Sequence, residues 1–149
     1  GAYMNDMYDG IWIDWYENGK KWVQGTFKNG LREGKWTSWW ENGRKFKEES
    51  FKSGKWDGTV QQWHPNAKKS LVKIYIDGKA NGRWTSWNAN GQKVEEGSYK
   101  NGREDGQWTF WYSSGQKMKE GSFDEGRLLF IYCWDEEGSE CECGFLGCK

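Results

Sequence analysis

Glycine returns at residues 10, 34, 58, 82 and 106, one every 24 positions, and the residues around it return with it. A unit this short is a single supersecondary piece that cannot enclose its own apolar side chains and buries them only by stacking on its neighbours. The period therefore predicts an elongated array rather than a globule around one central core. The filling is aromatic: 13 Trp, 7 Tyr and 7 Phe stand in a chain whose hydrophobic content is only 35%. Each buried ring removes roughly 150–250 Å² from water.

Aligned on the leading glycine, each unit holds two short β-prone runs. Between them lies Asn18-Gly19, Asn42-Gly43, Asn90-Gly91 or Ser114-Gly115. Asn-Gly between Trp-, Tyr- and Thr-rich runs is the signature of a two-residue type I′ hairpin. A second turn, at Lys28-Asn29-Gly30, Lys52-Ser53-Gly54, Asp77-Gly78 and Lys100-Asn101-Gly102, joins one hairpin to the next. The fold class is all-β: an elongated, single-layer, twisted antiparallel meander of five to six stacked hairpins, open-ended, with a Cys-rich C-terminal cap. Residues 1–8 read as an N-terminal extension in which Gly1-Ala2-Tyr3 has the look of a tag. Five units follow at 9–33, 34–57, 58–81, 82–105 and 106–129, then a degenerate sixth with the tail at 130–149.

Counting outward from a type I′ turn pairs Trp15 with Trp22, Trp39 with Phe46, Trp87 with Val94 and Trp111 with Met118. It also sets Trp12, Trp84 and Trp108 opposite Gly25, Gly97 and Gly121, where a ring lying over a strand glycine fills the missing side chain. Phe27, Tyr99 and Phe123 fall opposite Gly10, Gly82 and Gly106. Because side chains alternate along a strand, Trp12, Trp36, Trp84 and Trp108 form a column on one face. Trp15, Trp39, Trp63, Trp87 and Trp111 form a column on the other. The third unit departs from this pattern, with Val60 for the first Trp, Ala67 for the hairpin glycine and Lys73 for the strand glycine. His64-Pro65-Asn66-Ala67 is expected to make a different turn, since proline fixes φ and removes a donor.

The motif G-x-W-x-x-W-[YW]-x-N-G-x-K…E-G-[ST]-[FY]-K-N-G resembles MORN repeats, and more closely their bacterial variant, over about residues 9–129. The resemblance implies an extended sheet of consecutive hairpins and a scaffold that binds proteins or lipid headgroups. Bacterial members imply an antitoxin-like role.

The 22 basic and 22 acidic residues cancel and are interleaved, which argues against a nucleic-acid partner chosen by bulk positive field. Lys21, Lys45, Lys69, Lys93 and Lys117 form a column that the counted register sets opposite Tyr16, Trp40, His64, Asn88 and Tyr112. Two readings compete for it: cross-strand cation–π packing, or a basic, aromatic-backed strip for a partner, with Tyr16, Trp40, His64, Tyr112 and the five lysines as its contacts. Catalysis has little support in the sequence, since His64 is the only histidine and no nucleophile–base set recurs. Cys133, Cys141, Cys143 and Cys148 all lie beyond the full units. Reduced thiols are the plainest reading, with disulfides or a four-thiolate zinc site as alternatives; no other cofactor is expected. The opening residues have neither the basic start nor the apolar run of an export signal, so the expected location is the cytoplasm, with a missing leader as the alternative. The expected function is a non-catalytic scaffold for a protein partner, of antitoxin or immunity type. Alternatives are a choline- or glucan-binding module, or binding of anionic lipid headgroups, and the open sheet edges allow a homodimer.

Overall fold

The computed structural model describes residues 2–4, 7–144 and 147–149. Its strands are β1 (Ala2–Met4), β2 (Met7–Trp15), β3 (Lys21–Lys28), β4 (Leu31–Trp39), β5 (Lys45–Lys52), β6 (Lys55–Trp56), β7 (Gly58–Trp63), β8 (Lys69–Ile76) and β9 (Lys79–Trp87). They continue as β10 (Lys93–Lys100), β11 (Arg103–Glu104), β12 (Gly106–Trp111), β13 (Lys117–Asp124), β14 (Arg127–Trp134), β15 (Glu140–Cys141), β16 (Cys143–Gly144) and β17 (Gly147–Cys148). Strands β1 to β15 make one antiparallel sheet in chain order, with β6 and β11 as short additions beside β5 and β10; β16 and β17 make a separate ribbon. β1 pairs with β2 as Ala2↔Asp9, Tyr3↔Tyr8 and Met4↔Met7, the register that Thr26↔Glu33, Phe27↔Arg32 and Lys28↔Leu31 take one period later. Residues 2–4, expected as part of an extension, are therefore a strand of the repeating sheet.

The type I′ turn expected within each unit is not found there. The two-residue type I′ turn lies between units, where Asn29 and Gly30 have φ of 51° and 75°, and it recurs at Ser53-Gly54, Asp77-Gly78, Asn101-Gly102 and Glu125-Gly126. Within the unit the loop is one residue longer. Gly19 N–H donates to Tyr16 C=O at 3.0 Å, Tyr16 N–H donates to Lys20 C=O at 2.8 Å, and Gly19 but not Asn18 is left-handed. This is a type I turn closed by a left-handed residue. The same loop forms at His64-Pro65-Asn66-Ala67, where Ala67 N–H donates to His64 C=O at 2.8 Å and Ala67 takes a φ of 69°. Proline falls at the second position of a type I turn, where its fixed φ is favoured, so the different turn expected there does not arise.

The longer loop shifts the pairs beside it. Trp15, Trp39, Trp63, Trp87 and Trp111 face Lys21, Lys45, Lys69, Lys93 and Lys117, not the residues one further along. A bulge at Trp22, Phe46, Ser70, Val94 and Met118 then restores the count, so Trp12↔Gly25, Trp84↔Gly97, Trp108↔Gly121 and Gly10↔Phe27 hold. A second irregularity falls between units, as where Gln24↔Thr37 gives way to Thr26↔Glu33. In the last unit it is one residue shorter, Ser122↔Phe130 followed by Phe123↔Leu128. That missing residue is why Trp134 follows Trp111 by 23 positions instead of 24.

The core lies within one face of the single layer, called here the core face. Trp36 and Trp108 are 2% exposed and Val60 is fully buried. Removing roughly 150–250 Å² of ring surface at about 25 cal/mol per Å² is worth ~4–6 kcal/mol per Trp as an upper bound. The rings form an edge-to-face chain: Phe27 to Trp36 at 4.9 Å and 81°, Tyr99 to Trp108 at 5.0 Å and 84°. The ring over each strand glycine comes from the next unit, not from the hairpin partner as expected. A Cβ at Gly25 would lie 2.1 Å from Trp36, and one at Gly97 2.1 Å from Trp108. Each indole N–H then donates to the carbonyl just after that glycine, Thr26 at 3.2 Å and Ser98 at 3.1 Å. Gly121 has no following Trp and meets the Phe130 carbonyl instead.

The third unit follows the same rule in the negative. Glu49 takes the glycine position where the next unit offers only Val60, and Trp56 fills the space, donating its N–H to Glu49 at 2.9 Å. Lys73 takes the next glycine position, and Trp84, unable to lie flat there, is half-buried with the Lys73 ammonium 5.1 Å from its ring centre.

The four cysteines form disulfides Cys133–Cys143 and Cys141–Cys148, with Cα separations of 5.2 and 5.6 Å, which corrects the expectation of thiols. Sulfurs bridged in this way are not thiolates, so the zinc alternative is not formed. Among the described residues no group of three or more His, Cys, Asp or Glu side chains is gathered to hold a metal. β15 adds only Cys133↔Cys141 and Trp134↔Glu140 to β14 before the chain is drawn off into β16 and β17. The β14 edge from Arg127 to Tyr132 is left without a partner strand among the described residues, and Leu128, Leu129, Phe130 and Tyr132 on it are exposed.

Candidate functional site

The face opposite the core carries the five lysines and the second Trp of each unit. Because Lys21 pairs with Trp15 rather than Tyr16, its ammonium projects between the Trp rings of successive units, 5.9 Å from Trp15 and 5.8 Å from Trp39. Lys45 lies 5.1 Å from Trp63, Lys93 5.7 Å from Trp111 and Lys117 5.2 Å from Trp134. The result is a ladder of alternating rings and cations along the sheet. Each of these three lysines also holds the acid three residues on: Lys45 to Glu48 at 3.0 Å, Lys93 to Glu96 at 2.7 Å, and Lys117 to Glu120. Their hydrogen bonds keep the carboxyls of Glu96 and Glu120 below the ordinary range. At Glu48 burial works the other way, but Lys45 and Lys35 together outweigh it. Lys69 has Val72 in the acid's position and neither an ion pair nor a ring contact among the described residues.

Tyr16, Trp40, His64 and Tyr112, expected to face the lysines, do not. Each reaches the backbone of the next unit instead: Tyr16 Oη–H to Trp39 C=O at 2.7 Å, Trp40 Nε1–H to Trp63 C=O at 3.1 Å, Tyr112 Oη–H to Trp134 C=O at 2.9 Å. His64 Nε2 lies 2.8 Å from Trp87 C=O, which only accepts, so this nitrogen carries the proton. The loops add Asn18 to Glu41 C=O, Asn42 to Pro65 C=O and Asn66 to Ala89 C=O, with Lys20, Arg44 and Lys68 alongside. Three side-chain bonds thus staple each of the first three loops to its successor. The fourth loop differs: Asn88 is too short to reach across and bonds Gln92 and Asn90 within its own loop. No sequence signal separated these staples from contacts, because both recur with the period.

On the core face, Glu95 accepts from Trp84 Nε1–H at 3.1 Å. Burial pushes its carboxyl up, the indole bond opposes this and Glu104 adds to it. Burial, with Glu104 and Glu95, likewise raises the Tyr99 hydroxyl to about 12. Nothing in this group resembles a nucleophile–base pair.

The family model described as the MORN repeat variant matches residues 8–29, 32–53, 80–101 and 104–125. These are four segments of 22 residues, more than half of the 149 in the chain. The gap is the third unit, where Val60, Ala67 and Lys73 replace the signature residues. No curated protein matches the chain. The repeats of this family are, in general, protein- or membrane-binding scaffolds. The matched segments begin 24 residues apart, or twice that across the unmatched third unit, and each spans one hairpin of the observed sheet, so the chain belongs to the MORN repeat variant family.

Proposed function

We propose that this protein is a non-catalytic scaffold whose ladder face binds a protein partner, in the manner of an antitoxin or immunity protein that covers its target. The observation that carries this is the recurrence of Trp rings and Lys ammoniums from Trp15 to Trp134, interrupted only at Lys69, on a face with no second layer against it among the described residues. Aromatic side chains are over-represented at binding hot spots, and a charged rim adds specificity. The partnering of Lys45, Lys93 and Lys117 with glutamates favours a protein over an anionic lipid surface, since those ammoniums are already neutralised and the net charge is zero.

The test is affinity capture from the native host with the intact chain and with Trp39→Ser and Trp87→Ser variants. One stoichiometric protein that is lost with the ladder variants supports the reading. Recovery of no protein across several conditions, or equal recovery by the variants, refutes it. A toxin or effector as the captured protein supports the antitoxin role, and any other partner removes it.

A further inference from the structure

The core face holds one site that the stacking of units does not require. A cleft of about 490 Å³ opens across β2 to β5, walled by the rings of Trp12, Trp22, Trp36 and Phe46 and lined also by Asp14. Two of these residues break the period. Asp14 is replaced by Ser38, Gln62, Ser86 and Phe110 in the other units, so the array places no demand for charge at that position. Trp22 is replaced by Phe46, Ser70, Val94 and Met118; it is the bulge residue, which re-aims its side chain, and it is 51% exposed.

Asp14 accepts one hydrogen bond, from Trp12 Nε1–H at 2.9 Å, and among the described residues no lysine or arginine pairs with it. An ionised carboxylate has room for about four hydrogen bonds. Two cations and a second acid also line the cleft, but they are matched within it: Lys47 holds Glu49 at 2.8 Å, and the Arg32 guanidinium stacks 4.3 Å over Trp36. The cleft therefore offers the Asp14 carboxylate, which has no ion pair among the described residues, beside the rings of Trp12 and Trp22. An organic cation complements both, since ring faces attract it and a carboxylate adds a charge-assisted hydrogen bond.

We propose that this cleft receives a lysine or arginine side chain of the protein partner, an inference that rests on the partner-binding reading above. The test is a titration of the intact chain with N-acetyl-lysine methylamide, N-acetyl-arginine methylamide and choline, followed on the indole N–H signals in NMR. The signal of Trp12 is assigned through Trp12→Phe.

A saturable shift of the Trp12 and Trp22 signals by either amide is expected, weakened about fivefold or more in Asp14→Asn. Asparagine keeps an acceptor for the Trp12 N–H while removing the charge, and Trp22→Ser, the residue of the third unit, should weaken binding likewise. No saturable shift, or equal binding by Asp14→Asn, overturns the proposal. Binding of choline without either amide also overturns it, in favour of a free quaternary amine. Failure to capture any partner leaves this titration standing, whereas a partner captured equally by Asp14→Asn refutes the cleft and spares the scaffold.

Discussion

Alanine at Gly97 separates a ring-filled core from a merely glycine-rich sheet by the sign of its effect. Gly97 is not left-handed, so its backbone accommodates alanine. Without a neighbour above it, the change would stabilise the fold by about 0.4–1 kcal/mol through the unfolded chain. With Trp108 in place, the new Cβ lies 2.1 Å from Cδ2 and 2.3 Å from Cε2 of the indole. Carbon atoms need ~3.5–4.0 Å, so the ring must retreat by about 1.5 Å. That displacement breaks the Trp108 N–H bond to Ser98 C=O at 3.1 Å and loosens the edge-to-face contact with Tyr99 at 5.0 Å.

Overpacking costs about 1–3 kcal/mol and the lost hydrogen bond about 0.5–1.5, together ~2–4 kcal/mol. Urea unfolding followed by far-UV circular dichroism measures the change. In a Trp108→Leu background the same Gly97→Ala change should cost nothing or stabilise. A midpoint unchanged or raised by Gly97→Ala in the parent, or an equal cost in both backgrounds, refutes the ring-over-glycine core.

Four further outcomes are expected. Glu95 holds its proton to higher pH when folded than when unfolded, so its contribution to stability falls as pH rises from the ordinary carboxylate range through the raised folded value. Glu95→Gln should therefore raise the melting temperature at neutral pH and flatten its pH slope, and an unchanged slope sinks the idea. Reduction releases bridges whose cysteines are 10 and 7 residues apart, each worth about 2–3 kcal/mol in chain entropy. Hydrogen exchange should accelerate in residues 140–149 alone, and collapse of the whole array would show that the tail holds up the sheet. The open β14 edge should support concentration-dependent self-association that Tyr132→Lys abolishes; light scattering that reports a monomer throughout rules this out. Ala67→Gly relieves a left-handed alanine and should stabilise by about 0.5–1 kcal/mol in the same urea assay, while a loss of stability would contradict the observed φ.

The architecture was legible because the period forces it: hairpins, two Trp columns on opposite faces and outer pairs such as Trp12↔Gly25 follow from alternation and counting. The turns were not. Asn18-Gly19 and Asn29-Gly30 carry the same dipeptide, yet only the second closes as type I′, and letters alone do not distinguish them. The error stayed local because the bulge at Trp22 cancels the extra loop residue, so that only the two pairs beside the loop, those expected for Trp15 and for Lys21, are misplaced. Which ring covers which glycine was hidden too, since it depends on packing between units rather than pairing within one. The disulfides depend on how the tail folds back, which spacing in CWDEEGSECECGFLGCK does not reveal. Asp14 and Trp22 were visible as letters, but only the cleft shows that they converge.

The staples between loops have a mechanical meaning. The first four units are sewn together by three side-chain bonds at each junction, and the fourth loop carries no such stitch to the fifth. The ribbon is therefore laced along its loops from the first unit to the fourth, whereas the fourth and fifth are held by strand pairing and by Trp108 lying over Gly97. A target gripped along the ladder would find the rim of loops sewn together ahead of Asn88 and unsewn at it.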